Sequence, residues 1–369
     1  MRIDSPLYQP QGVLGFSHRR KRSRLVFGAI VLLVLVGVVL VTFGILAVLP
    51  QGLTGAPSVT VDVPEGTDAA VVTLQRINVL QRPTTFRLLV AAGRQPIHAG
   101  RYTVSPHLSA WSLARLLTTT QPRPEREVRI IEGWNLRDIG QYLEREGIAQ
   151  AEELHELVGF PAMDYRSADP AIPRPKDFST DFAFLRESDK PDFIGLDGYL
   201  FPDTYRVYAD ASVEDIVRKL LENFDRKLTP ELRAEVAASG RSLHQIITMA
   251  SIIEAEISNH DDRATAAGIL WKRRDRGMLL QVDASVNYVT GKRDPRVSRE
   301  DAAVDSAYNT YRYPGLPRGP IGNPGMSAIL AALRPKESPY WFFLTTKERK
   351  TVFSRTLEEH NANVARHLQ

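Results

Sequence analysis

Leu25 to Leu49 reads LVFGAIVLLVLVGVVLVTFGILAVL, 25 residues with no charge and a single hydroxyl, Thr42. At about 1.5 Å per residue, a helix of this length crosses a hydrocarbon core of about 30 Å. A cleaved export signal has a shorter apolar stretch and a small-residue cleavage site; Pro50-Gln51-Gly52 supplies no convincing one. The run is therefore read as an uncleaved membrane anchor over 25–49. His18-Arg19-Arg20-Lys21-Arg22-Ser23-Arg24 abuts it on one side, and the first Lys or Arg on the other side is Arg76. By the positive-inside rule, 1–24 is a basic cytoplasmic tail of a single-pass protein and 50–369 lies outside the bacterial cell membrane.

The tail also accounts for the overall charge. The chain of 369 residues carries 47 Lys+Arg and 43 Asp+Glu, a net of +4. Residues 1–24 hold six of those bases and one acid, so the remaining 345 residues have a net charge of −1. No basic face is left over for nucleic acid. With no cysteine, a disulfide scaffold, a thiol nucleophile and a Cys-ligated metal are excluded. The eight His residues show no HExxH, and neither a GxSxG elbow nor a GxxxxGK[ST] phosphate loop occurs.

Residues 50–58 read as a short Pro/Gly/Ser linker. Val61-Asp62-Val63-Pro64-Glu65-Gly66 then precedes a helical stretch over 67–80. Val128-Arg129-Ile130-Ile131-Glu132-Gly133, offset by 67 residues, precedes another over 134–147. Each is an alternating strand, a Glu-Gly turn and apolar residues near helical spacing. Between them, 99–104 reads as a strand and 111–117 as a helix. The spacing predicts a duplicated α/β region over 59–160. Its units resemble LysM-like modules, which bind N-acetylated glycans; packed spacers between membrane and catalyst fit the pattern equally. Residues 161–195, rich in Pro, Asp and Ser, read as a connector, and 196–369 as the catalytic domain.

The segment Ser242–Ser258 carries the strongest chemical signal. With Ser242 as N-cap and about 100° per residue, placing Leu243 at 0° puts Ile247 near ~40°, Ala250 near ~340° and Ile253 near ~280°, one wide apolar stripe. Glu254 falls near ~20°, inside that stripe, and Glu256 near ~220°, on another face. A carboxylate in an apolar face must pair with a cation, shift its pKa upward or line a cleft. A raised pKa is what a general acid at a glycosidic oxygen needs. A structural ion pair satisfies the same pattern.

Other segments could build a groove. Gly195–Tyr205 is dense in aromatics and turn formers, which suits either a sugar surface or a core. Gln281-Val282-Asp283-Ala284-Ser285 alternates polar and apolar. Ser306–Tyr311 leads into Gly315–Gly325, which has four Gly and three Pro in eleven residues and so holds its backbone groups in fixed directions.

Taken in order, Asp197-Gly198-Tyr199-Leu200-Phe201-Pro202-Asp203-Thr204-Tyr205, Ala250-Ser251-Ile252-Ile253-Glu254, Gln281-Val282-Asp283, Tyr308-Asn309-Thr310-Tyr311, Gly315-Leu316-Pro317 with Gly322-Asn323-Pro324-Gly325, and Glu359-His360-Asn361 resemble the endolytic murein transglycosylases of the YceG-like family. The resemblance covers about 59–369 and implies an α+β fold: an N-terminal transmembrane helix, a LysM-like region and a mixed catalytic domain. It departs from the family at Asp197, where Glu is expected, and at Arg349-Lys350-Thr351-Val352-Phe353, which lacks a His.

The resemblance implies cleavage of MurNAc-β-1,4-GlcNAc bonds within peptidoglycan, without water, to give 1,6-anhydroMurNAc ends. It implies peptidoglycan strands as substrate, cell-wall synthases as candidate partners, and no metal or cofactor. Glu254 is the expected catalytic acid. Tyr199, Asp203, Gln281, Asp283, Asn309, Tyr311 and Asn323 are expected to hold glycan or orient the acid. A tethered peptidoglycan-binding or division scaffold without activity is the alternative. A hydrolysing muramidase is a third reading, with Asp283 as its base.

Overall fold

The structure is a computed structural model that describes residues 17–51, 57–119, 124–292 and 297–367. Residues 1–16 of the expected tail and 52–56 of the expected linker lie outside the described residues. The chain divides into two compact units, Met1–Pro124 and Glu125–Gln369.

The first unit begins with α1 (Ser17–Val48). Within it, Val26–Val48 is long and apolar enough to cross a membrane, with a mean hydropathy of 3.1. Then follow β1 (Val59–Val63), α2 (Thr67–Arg76), α3 (Pro83–Gly93), β2 (Gly100–Val104) and α4 (Ala110–Thr119). The two strands pair antiparallel from Val59↔Val104 to Val63↔Gly100. Val71, Leu74, Phe86, Leu113 and Leu117 fill a small core of their own. Gly66, at φ 91°, turns the chain from β1 into α2, a conformation that a side chain would strain.

The second unit opens with β3 (Glu125–Arg129), α5 (Leu136–Arg145), α6 (Ala151–Val158) and α7 (Ala183–Glu187). The stretch 125–145 forms a strand and a helix, β3 and α5. A strand needs a partner for its open edge, and β3 takes β4 (Thr204–Tyr208), pairing Glu125↔Tyr208 to Arg129↔Thr204. The boundary between the two compact units, Pro124 to Glu125, falls within the stretch 59–160. Apart from α7, the expected connector 161–195 is made of turns and extended chain.

The rest of the unit is mainly helical. It contains α8 (Val213–Lys227), α9 (Pro230–Ala238), α10 (Leu243–Glu256), α11 (His260–Asp275), α12 (Asp283–Thr290), α13 (Arg299–Ala302) and α14 (Met326–Leu333). The hairpin β5 (Phe342–Thr345) and β6 (Thr351–Ser354) and then α15 (Leu357–His367) complete it. The fold is mixed α+β, as expected.

The core is organised around α10. Ser242 starts the helix with a reciprocal capping box: its hydroxyl accepts from the Gln245 amide at 3.3 Å, and the Gln245 side chain accepts from the Ser242 amide at 3.3 Å. Every residue from Ile246 to Ile253 is buried. A helix apolar all round is an interior helix. The small, apolar α14 packs across both α10 and α11. The two carboxyl groups of α10, Glu254 and Glu256, both lie in its last turn.

Candidate active site

Glu254 and Glu256 leave α10 on opposite sides, as their spacing predicts, and into different surroundings. Glu254 has only 7% of its side chain exposed, and Arg263 of α11 holds it with a two-pronged ion pair, Nη2–Oε1 at 2.5 Å and Nη1–Oε2 at 3.1 Å. The Gly325 amide at the start of α14 adds a bond to Oε2 at 3.0 Å. Arg263 also caps α10, its Nε donating to the Ile257 carbonyl at 3.1 Å. Both oxygens of Glu254 are thus taken by donors that tie three helices together. Glu254, the expected acid, therefore sits in a bonded ion pair in this structure, the second of the two arrangements its sequence pattern allows. Because α10 is buried all round, an apolar stripe does not mark which side opens to solvent.

Glu256 has the environment expected of the acid. It is half-buried at the N-terminus of α12, where the Ala284 amide donates to Oε1 at 3.4 Å. Burial raises its pKa to about 7; the Ala284 amide bond works against that, and the nearby charge of Asp283 adds a smaller upward push. Its backbone carbonyl accepts from the Thr345 hydroxyl of β5 at 2.9 Å, which fixes the end of the helix.

Three of the expected glycan-contacting residues gather here. Tyr311 donates its hydroxyl to Asp283 Oδ1. Burial and then the Asp283 carboxylate push the Tyr311 pKa upward, so it stays a donor. Gln281 adopts φ 53°, a left-handed conformation costly for a side-chain-bearing residue. Arg273 holds it there through Nη2 to Oε1 at 3.0 Å, while also bonding the Leu279 carbonyl at 2.6 Å.

The other four are scaffold. Tyr199 is fully buried, stacked on His244 and bonded to its Nδ1 at 2.9 Å. Asn323, also fully buried, accepts from the Leu200 amide at 2.9 Å and donates to the Trp134 carbonyl at 2.8 Å. Asn309 spends its amide on the Ala302 and Val304 carbonyls at 3.0 and 2.7 Å. Asp203 caps the turn into β4, with Thr204 N at 2.8 Å and Asn223 Nδ2 at 3.1 Å. Asn323, Asn309 and Asp203 thus bond backbone groups, and Tyr199 bonds the His244 ring.

The loop that carries Tyr311 also lines a cavity of about 830 Å³ on its way to α14. Met163, Asp164, Tyr308, Tyr313, Leu316 and Arg318 border it, with Asp164 and Arg318 in an ion pair. Among the described residues no cluster of three or more His, Asp and Glu could hold a metal.

The sequence pattern of the YceG-like family matches residues 59–366. The chain belongs to the YceG-like family. It is 30% identical over 319 residues to a Bacillus subtilis protein named endolytic murein transglycosylase, covering 82% of this chain and 83% of that one. It is 26% identical to the Streptococcus pneumoniae protein of the same name, covering 87% of this chain and 60% of that one. A solved yceG-like protein from Listeria monocytogenes superposes with a TM-score of 0.54 at 30% identity, over 84% of this chain and all of that one.

In this YceG-like chain the sequence pattern does not single out Arg263 or Arg273, and it sets Glu256 aside on another face of the helix. The wheel placed Glu256 off the stripe, and that was the usable signal: on an interior helix, the position outside the main apolar face is the one that finds a gap. Arg263 and Arg273 lie on α11 among exposed charged neighbours, and only the packing of α11 on α10 and α14 distinguishes them.

Proposed function

We propose that the chain is a membrane-anchored lytic transglycosylase that cuts MurNAc-β-1,4-GlcNAc bonds within peptidoglycan strands, with Glu256 as acid and base. The observation that carries the assignment is the placement of the Glu256 carboxyl at the end of α10, beside the Asp283–Tyr311 pair, with burial raising its pKa to about 7. Glu256 protonates the glycosidic oxygen as the bond from MurNAc C1 breaks, and GlcNAc leaves with its hydroxyl restored. The MurNAc N-acetyl oxygen steadies the positive charge developing at C1. The ionised Glu256 then takes the proton of the MurNAc O6 hydroxyl as O6 bonds to C1. No water enters, and the product carries a 1,6-anhydro ring.

Asp283 supports this cycle from beside Glu256. Its charge favours the neutral acid at the start, and Tyr311 keeps it oriented. The name of the Bacillus subtilis relative supports the substrate class. The cavity bordered by Tyr308 and Tyr313 is large enough to take a further part of the strand. Anchoring rests on the apolar span Val26–Val48, with the basic flank inside and the enzyme outside.

Mass spectrometry of purified glycan strands treated with the protein tests the reading: 1,6-anhydroMurNAc ends are expected. Asp283 also favours a second reading, since a carboxylate beside the acid is the arrangement of a hydrolase. Reducing ends heavier by one water, labelled at C1 from heavy-oxygen water, would replace transglycosylation with hydrolysis. No cleavage at all would leave the binding or division scaffold.

A further inference from the structure

The end of α1 is not followed by a free tether. Arg82, at the start of α3, donates from Nη1 to the Leu46 and Leu49 carbonyls at 3.3 and 3.0 Å. The last turn of a helix leaves its carbonyls without partners, and a cation there is favourable; α1 has no basic residue of its own in that turn. The connection is reciprocal. Gln51 is 1% exposed, and its side-chain oxygen accepts from the Gln81 and Arg82 amides at 3.0 Å each, serving the opening of α3. Pro50 forms an antiparallel bridge with Ser109, the Gln51 amide donates to the Leu108 carbonyl at 3.3 Å, and Ala47, near the end of α1, is 5% exposed. The chain therefore enters the small unit at the point where the apolar span ends.

This placement gives meaning to Trp111. It sits in the first turn of α4, two residues beyond the Ser109 bridge, with 49% of its surface exposed. The Arg115 guanidinium lies over its ring, 5.4 Å from the centroid. An exposed Trp with a cation over one face is poorly placed in bulk water. It is well placed between acyl chains and phosphates, where amphipathic rings collect and Arg meets anionic headgroups.

We infer that the small unit lies directly on the bilayer, with Trp111 at the level of the lipid glycerol and Arg115 and Arg82 toward the phosphates. The partner is the phospholipid surface that α1 leaves, and the inference rests on reading α1 as membrane-spanning. The surface is continuous with that helix, and the Arg82 and Gln51 bonds keep the two in fixed register.

The chain has no cysteine, so single reporters can be placed without other changes. The full chain is reconstituted in vesicles of three parts zwitterionic to one part anionic phospholipid. Nitroxide labels are attached in Val38→Cys within α1, Trp111→Cys on α4 and Val72→Cys on the exposed face of α2. Collision with oxygen and with a water-soluble nickel chelate is read for each. At Trp111 nickel access should be several-fold lower than at Val72, with oxygen access between those of Val72 and Val38. Adding Arg82→Ala should return the Trp111 label toward the Val72 value. Equal nickel access at Trp111 and Val72, with Val38 still shielded, overturns the docking while leaving the anchor in place. A Val38 label open to nickel overturns the anchor and the docking together. The native side chain gives a second reading: bromolipid quenching of the wild-type emission should fall in Trp111→Phe, and unchanged quenching would also overturn the docking.

Discussion

The hydroxyl of Tyr311 donates to the carboxylate of Asp283, joining positions 28 residues apart and fixing a negative charge beside Glu256. The site is thus a set of dependent charges. Asp283 is held by Tyr311, Glu256 is kept neutral partly by Asp283, and Glu254 is sequestered by Arg263 on the other side of the helix.

Glu256→Gln should abolish strand cleavage with the fold intact, since Gln has the same shape and no proton to give. Loss of a general acid–base group costs about 10²–10⁴-fold, and one group with both roles should sit at the upper end. Glu254→Gln should act through stability instead. It leaves the Arg263 guanidinium buried without its counter-charge, a defect worth roughly 3–5 kcal/mol. Thermal melts and initial rates on both variants decide it. A stable, inactive Glu254→Gln beside an active Glu256→Gln would exchange the two roles.

Asp283→Asn should move the alkaline limb of kcat/KM to lower pH. Removing a like charge lets Glu256 ionise sooner, so the protonated acid is lost earlier as pH rises. Burial is the larger cause of the raised pKa, so the limb should move only part of the way from about 7 toward 4.5. A limb that stays in place, or moves up, means Asp283 does not act on Glu256.

Asp197 and Glu256 should each contribute a fall in fold stability between weakly acidic and neutral pH, opposed by the lowered pKa of His155, His244 and His360. Asp197, buried under the Leu136 amide at 2.8 Å and the Tyr288 hydroxyl at 2.6 Å, is raised by burial from 3.8 to about 7. Glu256 is raised from 4.5 to about 7. At these two sites the folded state binds more protons than the unfolded one in that window. The stability these groups contribute is complete below their unfolded pKa values and is lost as pH rises through about 7. Each group adds a slope of about 1.4 kcal/mol per pH unit inside the window. Denaturant melts across the range, with Asp197→Asn as the variant that removes one of the two downward contributions, check it.

Asn323→Ala should behave as a folding defect and not as a substrate-binding defect. It strands the Leu200 amide and the Trp134 carbonyl, and a buried polar group left unpaired costs about 1–3 kcal/mol. KM should hold in whatever fraction stays folded. A raised KM at unchanged Tm would return Asn323 to the sugar.

Gly268→Ala tests the packing behind the site. Replacing an interior helical glycine normally gains about 1 kcal/mol. Here a Cβ on α11 would lie 2.0 Å from the Lys336 carbonyl oxygen, and that residue is held by its amide bond to Ala264 O at 2.8 Å. Overpacking of about 1–3 kcal/mol should win, lowering Tm. A higher Tm would mean the two backbones are further apart than described.

Local signals in the sequence were reliable where the cause is local. The Ser242 cap, the extent of α10 and the opposed directions of Glu254 and Glu256 all follow from hydrogen bonding and a 3.6-residue turn. What the sequence does not show is which elements pack together. Nothing around Val128 says that β3 will pair with β4 and not complete a copy of the first unit. Nothing around Glu254 names Arg263 as its counter-ion, because that choice is made when α11 packs on α14. Tyr199 and Asn323 sit in segments whose composition suits a sugar groove as well as a core, and burial alone separates the two.

The proposed acid, Glu256, projects from the last turn of a helix in which the eight residues Ile246 to Ile253 are all buried. Amides in such a segment exchange with solvent only when the whole unit opens. Glu256 is mounted on that rigid support, with its backbone pinned by Thr345. An acid so fixed does not travel to meet its bond. The pyranose ring is the softer body, so in the encounter it is the sugar that must change shape.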